Sequence, residues 1–213
     1  MRGGRVTTPG PTGSNAAGRR TSLAIRLLAI AGLSLAAAAT STSEAWASQG
    51  ICEREIAAAA IKYGVPEGIL YSVGLTETGR RGSLQPWALN VEGKAVFASS
   101  RDDALQVFGD ARRRGVKLID LGCMQINHHY HGDQFSEAED MLNPRRNVEY
   151  AAKFLSRLHA KHVTWTMAVA RYHAGPNNDP AQKRYVCRVI SNLVATGYGN
   201  WTAAASKFCR NPG

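Results

Sequence analysis

From Glu53 to the C terminus, glycine, proline and asparagine cut the chain into segments of helix length, most carrying an apolar stripe at helical spacing. Glu53 to Tyr63 reads as a helix stopped by Gly64. Pro66 opens a second helix to about Glu77, with Ile69, Val73 and Glu77 at i, i+4 and i+8 and Gly79 just beyond. Ala88 to Phe97 predicts a small hairpin turning near Glu92-Gly93. Arg101 to Arg114 is a helix closed by Gly115, and Val116 to Asn127 is mostly extended or irregular. Asn143-Pro144 is a helix start, Asn at the N-cap and Pro at N1, and Val148, Ala151, Ala152, Leu155 and Leu158 form the stripe behind it. Thr164 caps a shorter helix through Tyr172, ended by Gly175-Pro176. Pro180 to Ala195 follows, its apolar face built from Val186, Val189, Ile190 and Leu193, and Trp201 to Cys209 adds a last short helix. The expected fold is mainly α, an α+β domain with a minor β-hairpin element.

Residues 1–47 stand apart from this pattern. Arg19-Arg20 precede the thirteen-residue run Leu27–Ala39, and Ala45-Trp46-Ala47 supplies a small-x-small cleavage pattern. That order of charge, apolar run and small residues is the order of an export signal. The run falls short of the ~20 residues that span a bilayer, so cleavage near Ala47 is expected in place of a stable membrane anchor. Arg19-Arg20-Thr21-Ser22-Leu23 loosely fits the twin-arginine route, which leaves the two export routes open. The domain is then 48–213, periplasmic or secreted. It carries 21 basic and 15 acidic side chains, a net charge of +6. This field keeps the protein soluble and also favours an anionic partner such as the cell wall. Nucleic acid is excluded as a partner by export and by the lack of any nucleic-acid motif.

All four cysteines, Cys52, Cys123, Cys187 and Cys209, follow the leader. An even number in an exported chain permits disulfides, and three full pairings exist for four cysteines. Cys123 lies in an apolar segment and reads equally as a buried free thiol, whereas Cys209 is expected to bridge to Cys52 or Cys187 and tie down the tail. No CxxC spacing is present, so no zinc site is expected. His128, His129, His131 and Asp133 read as a solvated polar turn, since no ligand-spacing motif accompanies them.

Three clusters carry candidate chemistry. Glu77 shares a face with an apolar stripe at the last turn of its helix. Desolvation and the negative end of the helix both raise a carboxyl pKa, so such a group can hold a proton near neutral pH and deliver it to a leaving oxygen. In Gly122-Cys123-Met124-Gln125-Ile126-Asn127 the amides Gln125 and Asn127 alternate with apolar residues, which turns them toward a groove. Amides both donate and accept, as sugar hydroxyls and N-acetyl groups require. In Tyr172-His173-Ala174-Gly175, Tyr172 offers a ring face and a hydroxyl, and Tyr185 offers the same on the following helix.

Together and in this order, the clusters resemble the catalytic domain of soluble (SLT-type) lytic transglycosylases over Ile51 to about Leu193. Glu77-Thr78-Gly79 is similar to the family's Glu-Ser-Gly, with Thr for Ser. Gly122 to Asn127 is similar to Gly-Leu-Met-Gln-Ile-Asn, with Cys for Leu. Tyr172 to Gly175 is similar to Tyr-Asn-Ala-Gly, with His for Asn, and Tyr185 falls at a further aromatic of the family.

The resemblance implies a lysozyme-like fold, no cofactor or metal, and peptidoglycan glycan strands as substrate. Glu77 is the implied catalytic acid and base; Thr78, Gln125, Asn127, Tyr172, His173 and Tyr185 are the implied substrate-binding residues. It implies cleavage between N-acetylmuramic acid and N-acetylglucosamine with closure of a 1,6-anhydro ring. Proteins of this size and type often open the wall for secretion, conjugation or flagellar machines. Most glycosidases use two carboxylates, and Asp120 or Glu92 is the candidate second one for a hydrolytic, lysozyme-type reaction. Asp120 is otherwise expected to anchor its loop through backbone hydrogen bonds. A non-catalytic wall-binding module is the remaining alternative. The hairpin and the Arg101–Arg114 helix fill a long gap between Glu77 and Gly122, where they can reshape one groove wall.

Overall fold

The computed structural model describes residues 50–175 and 177–210, so the expected leader, its cleavage point at Ala47, and Pro176 lie outside the described residues. The chain runs α1 (Ile51–Tyr63), α2 (Glu67–Thr78), β1 (Ala88–Val91), β2 (Lys94–Phe97), α3 (Arg101–Arg113), β3 (Ile119–Leu121), β4 (Ile126–Asn127), α4 (His128–His131), a 3-10 turn (Gly132–Gln134), α5 (Ala138–Met141), α6 (Pro144–His162), α7 (Trp165–His173), α8 (Asp179–Ala195) and α9 (Ala203–Cys209). The cap signals act as the sequence predicts. Gly64 ends α1 in the left-handed conformation, and the side chains of Asn143 and Thr164 accept from the backbone N–H groups of Arg146 and Met167. Among the described residues no helix is long and apolar enough to cross a membrane.

The helices form one buried core. α1 packs on α6 and α2, α2 on α8, and α7 between α6 and α8. Ile56, Leu70, Val73, Val148, Leu155 and Val189 fill it. Outside this core, Lys62 of α1 bonds Glu149 of α6 at 3.0 Å. Glu53 accepts from Ser83 Oγ and Leu84 N, which fixes the loop after α2 against α1.

The β element is larger than the expected hairpin. Four antiparallel strands pair in the order β2-β1-β3-β4. The irregular stretch of the sequence reading supplies the two extra strands, joined by the turn Gly122–Gln125. Register aligns Leu89 with Leu121 and Leu121 with Ile126, all buried, while the neighbouring row aligns Asn90 with Asp120 and Asp120 with Asn127. Because side chains alternate across a strand, one face seals the core and the other presents a polar row.

The tight loop into β4 demands glycine at its start. Gly122 has φ +79°, and a Cβ there would lie 2.6 Å from Asn147 Nδ2 and 2.8 Å from the Met141 carbonyl oxygen. Asn147 is a fully buried hub: its Oδ1 accepts from Met124 N, and its Nδ2 donates to the carbonyls of Leu121 and Met141, each at 2.8 Å.

Two disulfides complete the fold. Cys52 bonds Cys123, so Cys123 is not the free thiol that its apolar surroundings suggested. That pairing pins the tight loop to α1. Cys187 bonds Cys209, one of the two partners expected for the tail, and ties α9 to α8. No cysteine is free.

Candidate active site

Glu77 is carried into the molecule by the stripe that precedes it. Leu70 and Val73 are buried, Ile69 packs against the core, and the helical repeat turns Glu77 inward in the last turn of α2. Gly79 follows because a Cβ would sit 2.3 Å from the Leu75 carbonyl oxygen, while its own N–H bonds that oxygen at 3.0 Å. The carboxyl faces a cleft of about 250 Å³ between α2, the polar row of the sheet, and α7.

Burial pushes Glu77 up to about 7 from 4.5, and the nearby charge of Asp120 adds to it; a hydrogen bond from Tyr185 and the positive charge of Arg188 oppose the rise. The group is therefore part protonated at neutral pH and can both give and take a proton. Tyr185 Oη donates to Glu77 Oε1 at 2.5 Å. Asp120 shares the cleft, also raised by burial and held back by a 2.7 Å bond from Asn127 Nδ2. The side chain of Asp120 thus anchors β4 through a side-chain amide, where backbone hydrogen bonds were expected.

Of the residues implied as substrate-binding, Gln125, Asn127, Tyr172 and His173 line this cleft with Glu77. Gln125 arrives differently from the strand alternation expected of it. It sits in the turn at φ +47°, and its amide donates to the carbonyls of Ala88 and Gly122, both at 3.0 Å. Asn127 caps α4 through Oδ1 and holds Asp120 through Nδ2. Tyr172 Oη donates to the Met124 carbonyl at 2.8 Å, clamping the same loop from the helical side.

Thr78 and Tyr185 stand behind the cleft, not in its lining. Thr78 is buried and its hydroxyl donates to the Cys123 carbonyl at 2.8 Å. Tyr185 is 1% exposed and reaches the site only through its hydroxyl. Both sit beneath the cleft, Thr78 holding the Cys123 loop and Tyr185 the Glu77 carboxyl. His173 lies flat on the Tyr185 ring, centroids 4.2 Å apart and planes 2° apart. Burial first, then Arg188 and Arg184, lower its pKa, which leaves a neutral imidazole at neutral pH. Glu92, the other candidate second carboxylate, is exposed at the hairpin turn and does not line the cleft.

The cleft also holds residues that the sequence reading did not select. Tyr130, His131 and Phe154 line it, and His131 Nδ1 bonds Tyr150 Oη at 2.9 Å. The supposed solvated turn His128–Asp133 is instead a short helix and 3-10 turn with His128 and His131 half-buried, His128 packing on Phe108. Among the described residues no group of three or more metal-ligating side chains gathers. The hub Asn147 carried one readable signal, an amide four residues after the N-cap on the face of the α6 stripe.

A mainly α domain, a small antiparallel sheet at the rim of the cleft, and a half-buried glutamate closing a core helix define a lysozyme-like protein. The sequence profile of the transglycosylase SLT domain matches residues 54–191, and the chain belongs to that family, which acts on peptidoglycan. Every motif residue discussed above lies within the match. No curated protein and no solved structure matches the chain.

Proposed function

We propose that this protein is an exported lytic transglycosylase that cleaves the β-1,4 bond between N-acetylmuramic acid and N-acetylglucosamine. One observation carries the reading: Glu77 faces a polar cleft while burial keeps its proton up to about pH 7. Protonated Glu77 gives its proton to the glycosidic oxygen and the C1–O bond breaks. The substrate's own N-acetyl group stabilises the cation. The C6 hydroxyl of the muramic unit then attacks C1 and returns a proton to the Glu77 carboxylate, closing a 1,6-anhydro ring. No water is consumed and Glu77 ends as it began. Gln125, Asn127, Tyr172 and His173 present polar and aromatic groups to the sugars. Thr78 and Tyr185 fix the loop and the carboxyl behind them.

A second reading, hydrolysis of the lysozyme type, is favoured by Asp120, a second carboxyl in the same cleft. Mass analysis of fragments released from purified sacculi separates the two, since an anhydro end is one water lighter than a reducing end. Anhydro ends from the native enzyme, and none from Glu77→Gln, are the expected result. Reducing ends would establish hydrolysis, and full turnover by Glu77→Gln would remove Glu77 from the mechanism. The physiological role that fits is wall remodelling, or opening the wall for a secretion, conjugation or flagellar machine.

A further inference from the structure

The cleft face of the sheet does not end at Asn90. Register carries it outward, since Asn90 pairs with Ala95 of β2 and Ala88 pairs with Phe97. Paired residues point to one face, so Ala95 and Phe97 stand on the cleft side, while Val96 turns to the core. Neither lines the cleft itself; both extend its sheet-side wall. Ala95 is small and exposed and leaves the floor low there. Phe97 is 41% exposed, a large ring on an outer strand. It flanks Ala88, whose carbonyl takes the Gln125 amide at 3.0 Å. Phe97 therefore lies one strand spacing, ~5 Å, beyond the backbone that holds Gln125. The ring is held in place: the guanidinium of Arg80 lies over it, 5.0 Å from the centroid. Arg80 follows closely on α2 and is fixed by Ser83, through reciprocal backbone N–H to carbonyl bonds of 2.9 and 3.1 Å. Arg80 is exposed and makes no ion pair among the described residues.

We infer that Phe97 and Arg80 form a sugar platform outside the cleft, which holds a glycan unit beyond the pair whose bond is cut and makes the enzyme prefer long strands. The inference rests on the transglycosylase reading above. The polar row Asn127, Asp120 and Asn90 crosses the sheet, and Ala95 leaves the way from it to Phe97 unobstructed. A pyranose ring carries C–H groups on its faces and hydroxyls at its edge. An aromatic ring takes the first by apolar contact, and guanidinium N–H groups serve the second, together with the carbonyl oxygen of an N-acetyl group. The Arg80–Phe97 pair supplies both at one point. Because Arg80 already orients the ring, little ordering is left to be done when sugar arrives. A unit bound there adds affinity only to strands long enough to reach it, so the pair acts on chain length and not on the bond that breaks.

The test uses the full mature protein carrying Glu77→Gln, so that binding is read without turnover. The probes are soluble glycan strands stripped of their peptide stems and graded in length from the disaccharide upward, titrated by calorimetry. Affinity is expected to step up by about tenfold at the length that first reaches Phe97. Phe97→Ala added to this background is expected to remove the step while leaving the shortest probes within about twofold. Phe97→Trp, which keeps an aromatic face, is expected to retain the step, and Arg80→Gln to reduce it by about threefold. A pair that merely pinned the hairpin to the end of α2 would, on substitution, weaken every length alike. That result, or a step that survives Phe97→Ala, or no step at all, overturns the inference. The transglycosylase reading fails separately, if the native enzyme releases no anhydro ends from sacculi, whatever the length dependence of binding.

Discussion

The hydroxyl of Tyr185, on α8, donates its hydrogen bond to Oε1 of Glu77, on α2, across the contact between two core helices. The bond favours the charged carboxyl and opposes the upward pull of burial. Tyr185→Phe removes it while keeping the ring on which His173 lies. The pKa of Glu77 then rises above its present value of about 7. General acid catalysis needs the proton, so activity in the native enzyme falls as pH rises through about 7. In Tyr185→Phe that alkaline limb moves to higher pH, while the rate at its maximum drops about tenfold from lost orientation of the carboxyl. A pH profile of sacculus solubilisation checks both. An unmoved alkaline limb would show that Tyr185 does not tune the acid.

The same desolvation has a thermodynamic signature. A glutamate raised from 4.5 to about 7 binds its proton more tightly folded than unfolded. Its contribution to stability is full below about 4.5 and is lost as pH rises through about 7. Glu77→Gln lacks this dependence. Relative to native protein, the variant is expected to gain stability between pH 5 and pH 8, by ~3 kcal/mol over the whole window. Urea midpoints of both proteins across that range read the difference. A constant offset would mean that the carboxyl is not desolvated, and the proposed acid would lose its physical basis.

The local rules of helix and turn made much of this fold legible. Asn143-Pro144, Thr164 and Glu92-Gly93 each place a chemical demand on backbone atoms within a few residues, so their effect was readable from neighbours alone. The inward turn of Glu77 was readable for the same reason, since Ile69 and Val73 share its helix. What escaped depends on partners distant in the chain. Gln125 carries a positive φ and bonds the Ala88 carbonyl, 37 residues away, so strand alternation misplaced its side chain. Thr78 turns to Cys123, 45 residues on, and Cys123 is fixed by Cys52. The polar row Asn90-Asp120-Asn127 exists only through register between three strands, two of which read as irregular chain because they hold three and two residues.

Asn147 gives a sharp test of the loop that carries Gln125. Asn147→Leu removes one acceptor and two donors, leaving Met124 N and the carbonyls of Leu121 and Met141 without these partners. Each buried polar group left unsatisfied costs ~1–3 kcal/mol. A loss of at least ~3 kcal/mol is expected on summing three such costs, measured by denaturant unfolding. Where the variant still folds, turnover is expected to fall more than binding of stripped glycan, because the loop shapes the reacting centre. Gly122→Ala attacks the same junction by strain and by the 2.6 Å approach to Asn147, so the two substitutions together should cost less than their sum.

The two disulfides differ in what they hold. Cys52–Cys123 closes a separation of 71 residues and Cys187–Cys209 one of 22. In the chain-entropy treatment the longer closure restrains the unfolded chain more, by about 1 kcal/mol. The first bond also joins α1 to the loop whose Cys123 carbonyl takes the Thr78 hydroxyl, so its loss reaches the cleft. The second joins only α8 to the short tail helix α9. Cys52→Ala/Cys123→Ala is therefore expected to lower stability by ~2–5 kcal/mol and to depress turnover on every strand. Cys187→Ala/Cys209→Ala is expected to cost about 1 kcal/mol less in unfolding free energy and to leave turnover on stripped strands near native. Equal turnover losses on stripped strands for the two pairs would mean that the tail supports the catalytic cleft itself, and not chiefly α8, its main packing partner.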